Sequence, residues 1–339
     1  MDKLDKWSEP EREWCRDYDY LKQRGYTLRS RYSDGWTPSA DLWSEDMIPQ
    51  KNPYCLDATR ANGTRVYIKK VFRNEHPAEA EIAQFLSLPA MLSDSHNHTV
   101  PVLDCFAGEK GPEIRYLVMP LLRPFNQPPF TTIKECVDFV DQTLEGLVFM
   151  HQHNVAHRDC SAQNIMMDGY DLYPNGWHPM SPWLTPDGKA FVTPRKNRCD
   201  VNIRYFFIDF GLSTHFAPGE KHEVVGRKCS ISTPELSDEK KYNPFRLDVY
   251  LLGNVFYEHI CNAYVDIPFL EPLMRAMTAF EPEDRPTSKE ALQRWQDVCK
   301  SKEASSMRGW LHSQEETGPE RLARDLASSA IYAITRLRS

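Results

Sequence analysis

The chain has 339 residues, 41% of them hydrophobic, and a formal net charge of −7. That length allows two or so domains or lobes around substantial cores, and the composition is ordinary for a globular protein, which argues against disorder throughout. The acidic balance, with no concentrated basic surface, argues against a general nucleic-acid binder.

Nine cysteines are scattered without paired spacing and no C-x-x-C occurs, so neither a disulfide framework nor a zinc site is expected, and reduced thiols in the cytoplasm or nucleus fit best. The first six residues lack the apolar core of a signal peptide, and no run is long enough to span a bilayer, so no membrane partner is expected.

In chain order, Ser8 and Glu11 form a capping-box pattern that opens a helix over about 9–24, with Gly25 as its stop. Residues 26–50 are aromatic and irregular and read as a segment lying against the domain. Residues 55–60 and 65–71 flank Asn62-Gly63 and read as a β-hairpin. In an alternating strand Lys70 points away from Lys69, and the expectation is that Lys70 is solvated. Residues 77–86 read as a helix. Residues 115–119 form a buried-strand run ending at Pro120-Leu121-Leu122, and 136–151 carry apolar residues at the spacing of a long core helix.

The centre of the chain is His157-Arg158-Asp159-Cys160-Ser161-Ala162-Gln163-Asn164, followed by Asp209-Phe210-Gly211 after the apolar lead-in 205–208. The Asp159 carboxylate can accept a proton from an attacking hydroxyl, while Asn164 and Asp209 can share the Mg²⁺ ions that neutralise a transferred phosphoryl group. Between Gly169 and Arg204 lies a stretch rich in Pro, Gly, Trp and Asn, whose aromatics favour packing onto the domain over a free tail. Residues 287–299 read as a last core helix. From Gly318 an amphipathic helix is expected, with Leu322, Leu326, Ala330, Ile334 and Leu337 along one stripe; it docks on its own domain or takes a partner.

H-R-D-x-x-x-x-N followed by D-F-G resembles the eukaryotic protein kinase superfamily. The resemblance covers about residues 51–299 and implies an α+β, bilobal kinase-like fold, with a small β-rich N-lobe and a larger, mostly helical C-lobe. In that frame 1–50 is an N-terminal extension, 51–122 the N-lobe and hinge, and 123–300 the C-lobe. The C-lobe carries an insertion at 170–204 and an activation segment at 209–235, and 301–339 is a C-terminal tail.

The resemblance further implies ATP and Mg²⁺ as cofactors. Lys69, in Val66-Tyr67-Ile68-Lys69, would sit on the α- and β-phosphates and pair with Glu81, with Glu79 as the alternative. Tyr67 would roof the adenine, Met119 guard its pocket, and the Pro120 carbonyl and Leu122 amide meet its edge, over a floor at Met166. Asp159 would be the catalytic base and Asn164 and Asp209 the metal ligands. Arg158 would receive a phosphate carried on Ser213, Thr214, Ser230 or Ser232. Thr233-Pro234-Glu235 stands in the place of A-P-E, with Arg285 as partner to Glu235, and Asp248 would hold the catalytic-loop backbone.

The sequence also departs from the pattern. No G-x-G-x-x-G precedes Cys55, Tyr67 stands where a small alanine is usual, Ser161 replaces a lysine or its equivalent, and the insertion is long. H-R-D-x-S-x-x-N, the long loop before D-F-G and the N- and C-terminal extensions together look like a fungal-specific group of protein-kinase-like proteins. The expected activity is transfer of the γ-phosphate of ATP to Ser/Thr of a protein substrate. A pseudokinase scaffold is the alternative, and phosphorylation of a small metabolite is disfavoured by the Glu235, Arg285 and D-F-G markers.

Overall fold

The computed structural model describes residues 8–37, 47–231, 233–302 and 309–321. The stripe from Leu322 to Leu337 and the Ser232 site lie outside them.

The N-terminal segment begins as two short helices rather than the single one expected: α1, Glu9–Arg16, and α2, Tyr18–Gln23, meet at Asp17. The Ser8–Glu11 capping box opens α1, and Gly25 takes φ +89°, a backbone that glycine adopts without steric cost. The chain then enters a five-stranded antiparallel sheet ordered β1-β2-β3-β5-β4. Its strands are β1, Tyr26–Thr27; β2, Cys55–Arg60; β3, Arg65–Phe72; β4, Asp104–Gly108; and β5, Gly111–Pro120. The β2–β3 hairpin turns at Gly63, φ +82°.

Side-chain alternation along β3 sorts the two faces of this sheet. Val66 and Ile68 point to the outer face, where Trp14, Leu21, Tyr26, Leu28 and Tyr32 join Leu56, Phe106 and Tyr116 in a separate apolar core. Lys70 shares that outer face, as expected, but is not solvated. The N-terminal helices cover it, so its ammonium is buried 2.6 Å from an Asp17 carboxylate oxygen and 4.2 Å from the centre of the Trp14 ring. Burial pushes the Lys70 pKa down, and Asp17 pulls it back up. The opposite face, carrying Tyr67, Lys69 and Val71, looks toward the main core and the cleft.

Helix α3, Glu79–Leu86, packs under the sheet, followed by a single turn, α4, Pro89–Leu92. After β5 the chain passes through Leu121-Leu122 into β6, Arg123–Pro124, and then α5, Ile133–Gln152, the longest helix among the described residues, capped by Thr132. Around α5 stand α6, Pro244–Phe256, α7, Glu271–Met277, and α8, Ser288–Lys300. Between α5 and α6 run the short strands β7, Val155–Ala156, β8, Ile165–Met167, and β9, Tyr205–Phe207, with β6, β8 and β9 forming one small sheet. A small β-rich lobe and a larger helical lobe thus flank a cleft at residues 120–122, the bilobal kinase architecture.

The 170–204 insertion is folded against this frame. Trp177 and Tyr173 are buried, and the Arg123 guanidinium lies 4.1 Å from the Tyr173 ring centre. Arg198 is buried as well and donates to the Phe125 carbonyl and the Tyr205 hydroxyl, so its buried guanidinium is hydrogen-bonded.

Candidate active site

The cleft holds a cavity of about 400 Å³. Val100, Leu117, Met119, Leu122 and Met166 give it an apolar lining, and Lys69, Glu79, Asn164 and Asp209 stand at its inner end. Tyr67, Pro120 and Phe210 also line it. The Tyr67 ring therefore forms part of the wall and leaves the space open. Burial pushes its phenol pKa up, so it stays neutral.

At the inner end Lys69 Nζ lies 2.5 Å from Glu79 Oε1 and 2.8 Å from Asp209 Oδ1. The partner on α3 is therefore Glu79 and not Glu81. Two positions along a helix are about 200° apart, so only one of these carboxylates can face the sheet. Glu81 faces outward and meets Arg73 at 3.2 Å, both half exposed. Burial opposes the Lys69 charge, but Glu79 and Asp209 outweigh it and hold the ammonium above its ordinary pKa. Burial also works against the Asp209 carboxylate, which Lys69 nonetheless keeps below the usual range. Burial pushes the Glu79 carboxyl up against the pull of Lys69.

The catalytic loop is fixed by Asp248, fully buried on α6, which accepts the backbone N–H groups of His157 at 2.8 Å and Arg158 at 2.6 Å. His157 Nε2 meets the Ile208 carbonyl at 3.0 Å, tying this loop to the strand before Asp209. Arg158 and Asp209 hold φ of +67° and +65°, a left-handed conformation that costs non-glycine residues about 1–3 kcal/mol and persists only where surroundings enforce it. Asn164 Nδ2 donates to Asp159 Oδ2 at 2.8 Å, and Phe210 is buried beside the His157 ring.

Asp159 and Asp209 line the same smaller cavity of about 180 Å³, together with Lys69, Asn52 and Tyr54. The side chains expected to share the chemistry therefore converge. Asp159 Oδ1 accepts the Ser230 N–H at 3.0 Å, so the activation segment reaches back to the catalytic carboxylate. Arg158 is engaged by the same segment, through the Val225 carbonyl at 3.0 Å and the Thr214 hydroxyl at 3.4 Å, and also by the Tyr242 hydroxyl at 3.1 Å. Ser213 is buried and donates to the His157 carbonyl. Glu235 and Arg285 form a buried ion pair at the base of the large lobe, where Arg285 also donates to the Ala279 and Phe280 carbonyls. Cys160 is fully buried in the loop, and burial raises its thiol pKa far above the ordinary value.

Four contributors escaped the sequence reading. Asn52 lines both cavities from the turn where a glycine-rich loop is absent, its Oδ1 accepting the Tyr54 N–H at 2.9 Å. An Asx turn at Asn52-Pro53 was legible as a turn, but not as a cavity wall. Pro179 and Pro182, from the insertion, line the larger cavity, and nothing in their local sequence says so. Trp14 donates its indole N–H to the Pro53 carbonyl at 3.0 Å, so the N-terminal helix pins the turn carrying Asn52.

A bilobal fold with this arrangement at its cleft defines the protein kinase class. The family model described as protein kinase domain matches residues 54–269, well over half of the chain, which therefore belongs to the protein kinase family. The chain is 25% identical over 207 residues to the mouse sperm motility kinase Tcr mutant form, covering 58% of this chain and 34% of that protein. It is 24% identical over 206 residues to a probable myosin light chain kinase of Dictyostelium discoideum, covering 59% and 44%. It is 24% identical over 131 residues to the rat serine/threonine-protein kinase SIK1, covering 39% and 12%. The chain thus spans less than half the length of each of these relatives.

Proposed function

We propose that the chain is an ATP- and Mg²⁺-dependent protein kinase that phosphorylates Ser or Thr of a protein substrate. The observation that carries this reading is Lys69 held between Glu79 at 2.5 Å and Asp209 at 2.8 Å, at the inner end of an apolar cavity. An apolar pocket with a few convergent charges at one end suits a purine carrying phosphates.

The donor set fits the group. Among the described residues no cluster of three or more His, Cys, Asp or Glu could hold a metal alone. Mg²⁺ is typically bound through one or two carboxylates together with substrate phosphates, and Asp209 and Asn164 supply that kind of partial set. Bound Mg-ATP supplies an electrophilic phosphorus and neutralises the developing charge. Lys69 orients the phosphates, with Glu79 restraining its ammonium. Met119, Leu122 and Met166 enclose the purine. Asp159 orients the attacking hydroxyl and takes its proton, after Ser230 N–H has been withdrawn from Oδ1. The name of the rat relative supports the Ser/Thr type, and free thiols and the folded architecture are compatible with an intracellular setting.

Transfer of labelled γ-phosphate from ATP to a panel of basic, acidic and neutral Ser/Thr peptides tests the proposal. The wild-type chain should label at least one peptide, and Asp159→Asn should lower that rate by ~10²-fold or more, as for loss of a general base. Equal rates from the two chains sink it. The Ser230 amide seated on Asp159, with no glycine loop present, favours a second reading as a nucleotide-binding scaffold. That reading requires Mg-ATP to raise the melting temperature of a chain that labels nothing.

A further inference from the structure

The insertion is more than a packed decoration of the large lobe. Pro179 and Pro182 line the cleft cavity alongside Pro120, Leu122 and Pro124, which places the insertion at the hinge end of the site. Its position is set from below by Arg123, buried immediately after the hinge, whose guanidinium donates to the Pro182 carbonyl and lies against the Tyr173 and Trp177 rings. From above, two small-lobe cations reach across the cleft. Lys51 Nζ stands 4.5 Å over the centre of the Trp183 ring, and Arg65 Nη1 donates to the Trp177 carbonyl at 3.3 Å. Lys51 precedes Asn52, the residue that lines both cavities, so the latch joins the insertion directly to the turn above the site.

We propose that this clasp makes the insertion a specificity element of the nucleotide site, closing its sugar side. The inference rests on the nucleotide reading given above. With the purine edge at residues 120–122 and the phosphates at Lys69 and Asp209, the ribose lies between them, in the stretch bounded by Asn52, Gln163, Pro179 and Pro182. Pro182, its carbonyl held by a buried arginine, has little freedom to retreat, and Pro179 stands three residues before it on the same wall. A ribose with free hydroxyls fits beneath the clasp, whereas a bulky group attached to it must displace the Lys51–Trp183 contact.

The test measures calorimetric affinities of the full chain for Mg-ADP and for Mg-ADP carrying an N-methylanthraniloyl group on its ribose. Wild-type should bind the substituted nucleotide about tenfold or more weakly than ADP. Trp183→Ala and Lys51→Ala, each opening the latch at a solvent-facing residue, should shrink that ratio at least ~threefold while leaving ADP affinity within ~threefold of wild-type. The side chains are exposed, so both variants keep the fold, and their melting curves check this. A wild-type ratio near one, or a ratio that neither substitution moves, overturns the clasp while leaving the kinase reading standing. A wild-type chain that binds neither nucleotide brings down the nucleotide reading itself, and the clasp with it.

Discussion

The pairing of Lys69 with Glu79 gives a comparison in which two neighbouring acids should behave unlike each other. Glu79 is buried, with its side chain 2% exposed and its Oε1 2.5 Å from Lys69 Nζ. Truncating one member of a buried pair costs about 3–5 kcal/mol when the other charge is left without a partner. Here Lys69 keeps Asp209 at 2.8 Å, on a carboxylate 44% exposed, so the loss in Glu79→Gln falls to ~2 kcal/mol. At ~2–4 °C per kcal/mol for a chain of this size, the melting temperature should drop by ~4–8 °C. Glu81 meets Arg73 at 3.2 Å with the two side chains 49% and 43% exposed. Such pairs contribute ~0–1 kcal/mol, so Glu81→Gln should move the melting temperature by at most ~4 °C.

The same asymmetry should appear in phosphotransfer. A charge-assisted hydrogen bond of about 1.5–3 kcal/mol, lost where it orients Lys69, corresponds to a rate lower by roughly 10–150-fold in Glu79→Gln. Glu81→Gln should stay within about twofold of wild-type, since a rim charge orients nothing in the cleft. Thermal melting and labelled-ATP transfer on the two single variants are sufficient. Equal losses from both, or a larger loss from Glu81→Gln, would refute the assignment of the pair and the helix phase it depends on.

Other consequences are smaller in scope. Burial raises the Asp141 carboxyl to about 6, against the Trp295 indole N–H bonded to it at 2.5 Å. A folded-state pKa above the unfolded one means that the native chain binds the proton more tightly, so this group adds stability as pH falls from about 7 to about 4. Asp141→Asn, whose Oδ1 can still accept from Trp295, should melt higher than wild-type near neutrality by the equivalent of ~1 kcal/mol, with the difference vanishing toward pH ~4. A constant offset across that range excludes the titration. Gly253 on α6 faces α7 so closely that a Cβ would meet Met277 Cβ at 2.7 Å and Thr278 Cγ2 at 2.9 Å. Gly253→Ala should cost ~1–3 kcal/mol by overpacking, seen in urea midpoints, and an unshifted midpoint would show that the helices yield. Lys70→Met should cost ~1–3 kcal/mol by taking the cation from the Asp17 carboxylate, which keeps the Tyr116 hydroxyl at 2.7 Å, and should expose the 8–25 segment to limited proteolysis. A solvated Lys70 would give neither effect.

Several parts of this site were legible because the chemistry demands particular residue types at fixed spacing. Asp159, Asn164 and Asp209 could be read from two short motifs, and the structure brings Asp159 and Asp209 to one cavity, with Asn164 bonded to Asp159 beside it. Asp248 and the Glu235–Arg285 pair were legible only through the protein kinase resemblance, and the structure shows the physical reason for them: Asp248 takes up the catalytic-loop N–H groups, and the two buried charges of Glu235 and Arg285 satisfy each other. The identity of the Lys69 partner was not legible. The sequence reading favoured Glu81 over Glu79 because the helix phase is not visible in sequence, and only the packing of Ala80, Ile82, Ala83 and Leu86 against the core sets that phase. Lys70 failed for a different reason. Its face of the sheet was read correctly, but what covers that face is contributed by residues more than forty positions earlier in the chain.

The same distinction explains the cover over the cleft. Glycines in a phosphate loop signal themselves because the backbone must approach the ligand closely, and their absence before Cys55 was visible at once. What takes their place is assembled from three distant segments, none with a signature of its own. The Asn52 turn is held by the Trp14 indole at 3.0 Å and carries Lys51, which meets Trp183. Arg123, next to the hinge, fixes Pro182 from the other side. In place of a glycine-rich loop stands a turn braced by Trp14 on one side and, through Lys51, by the insertion on the other. On the nucleotide reading proposed above, such a preset wall would admit only ligands that fit beneath it and so would act on selectivity for the sugar.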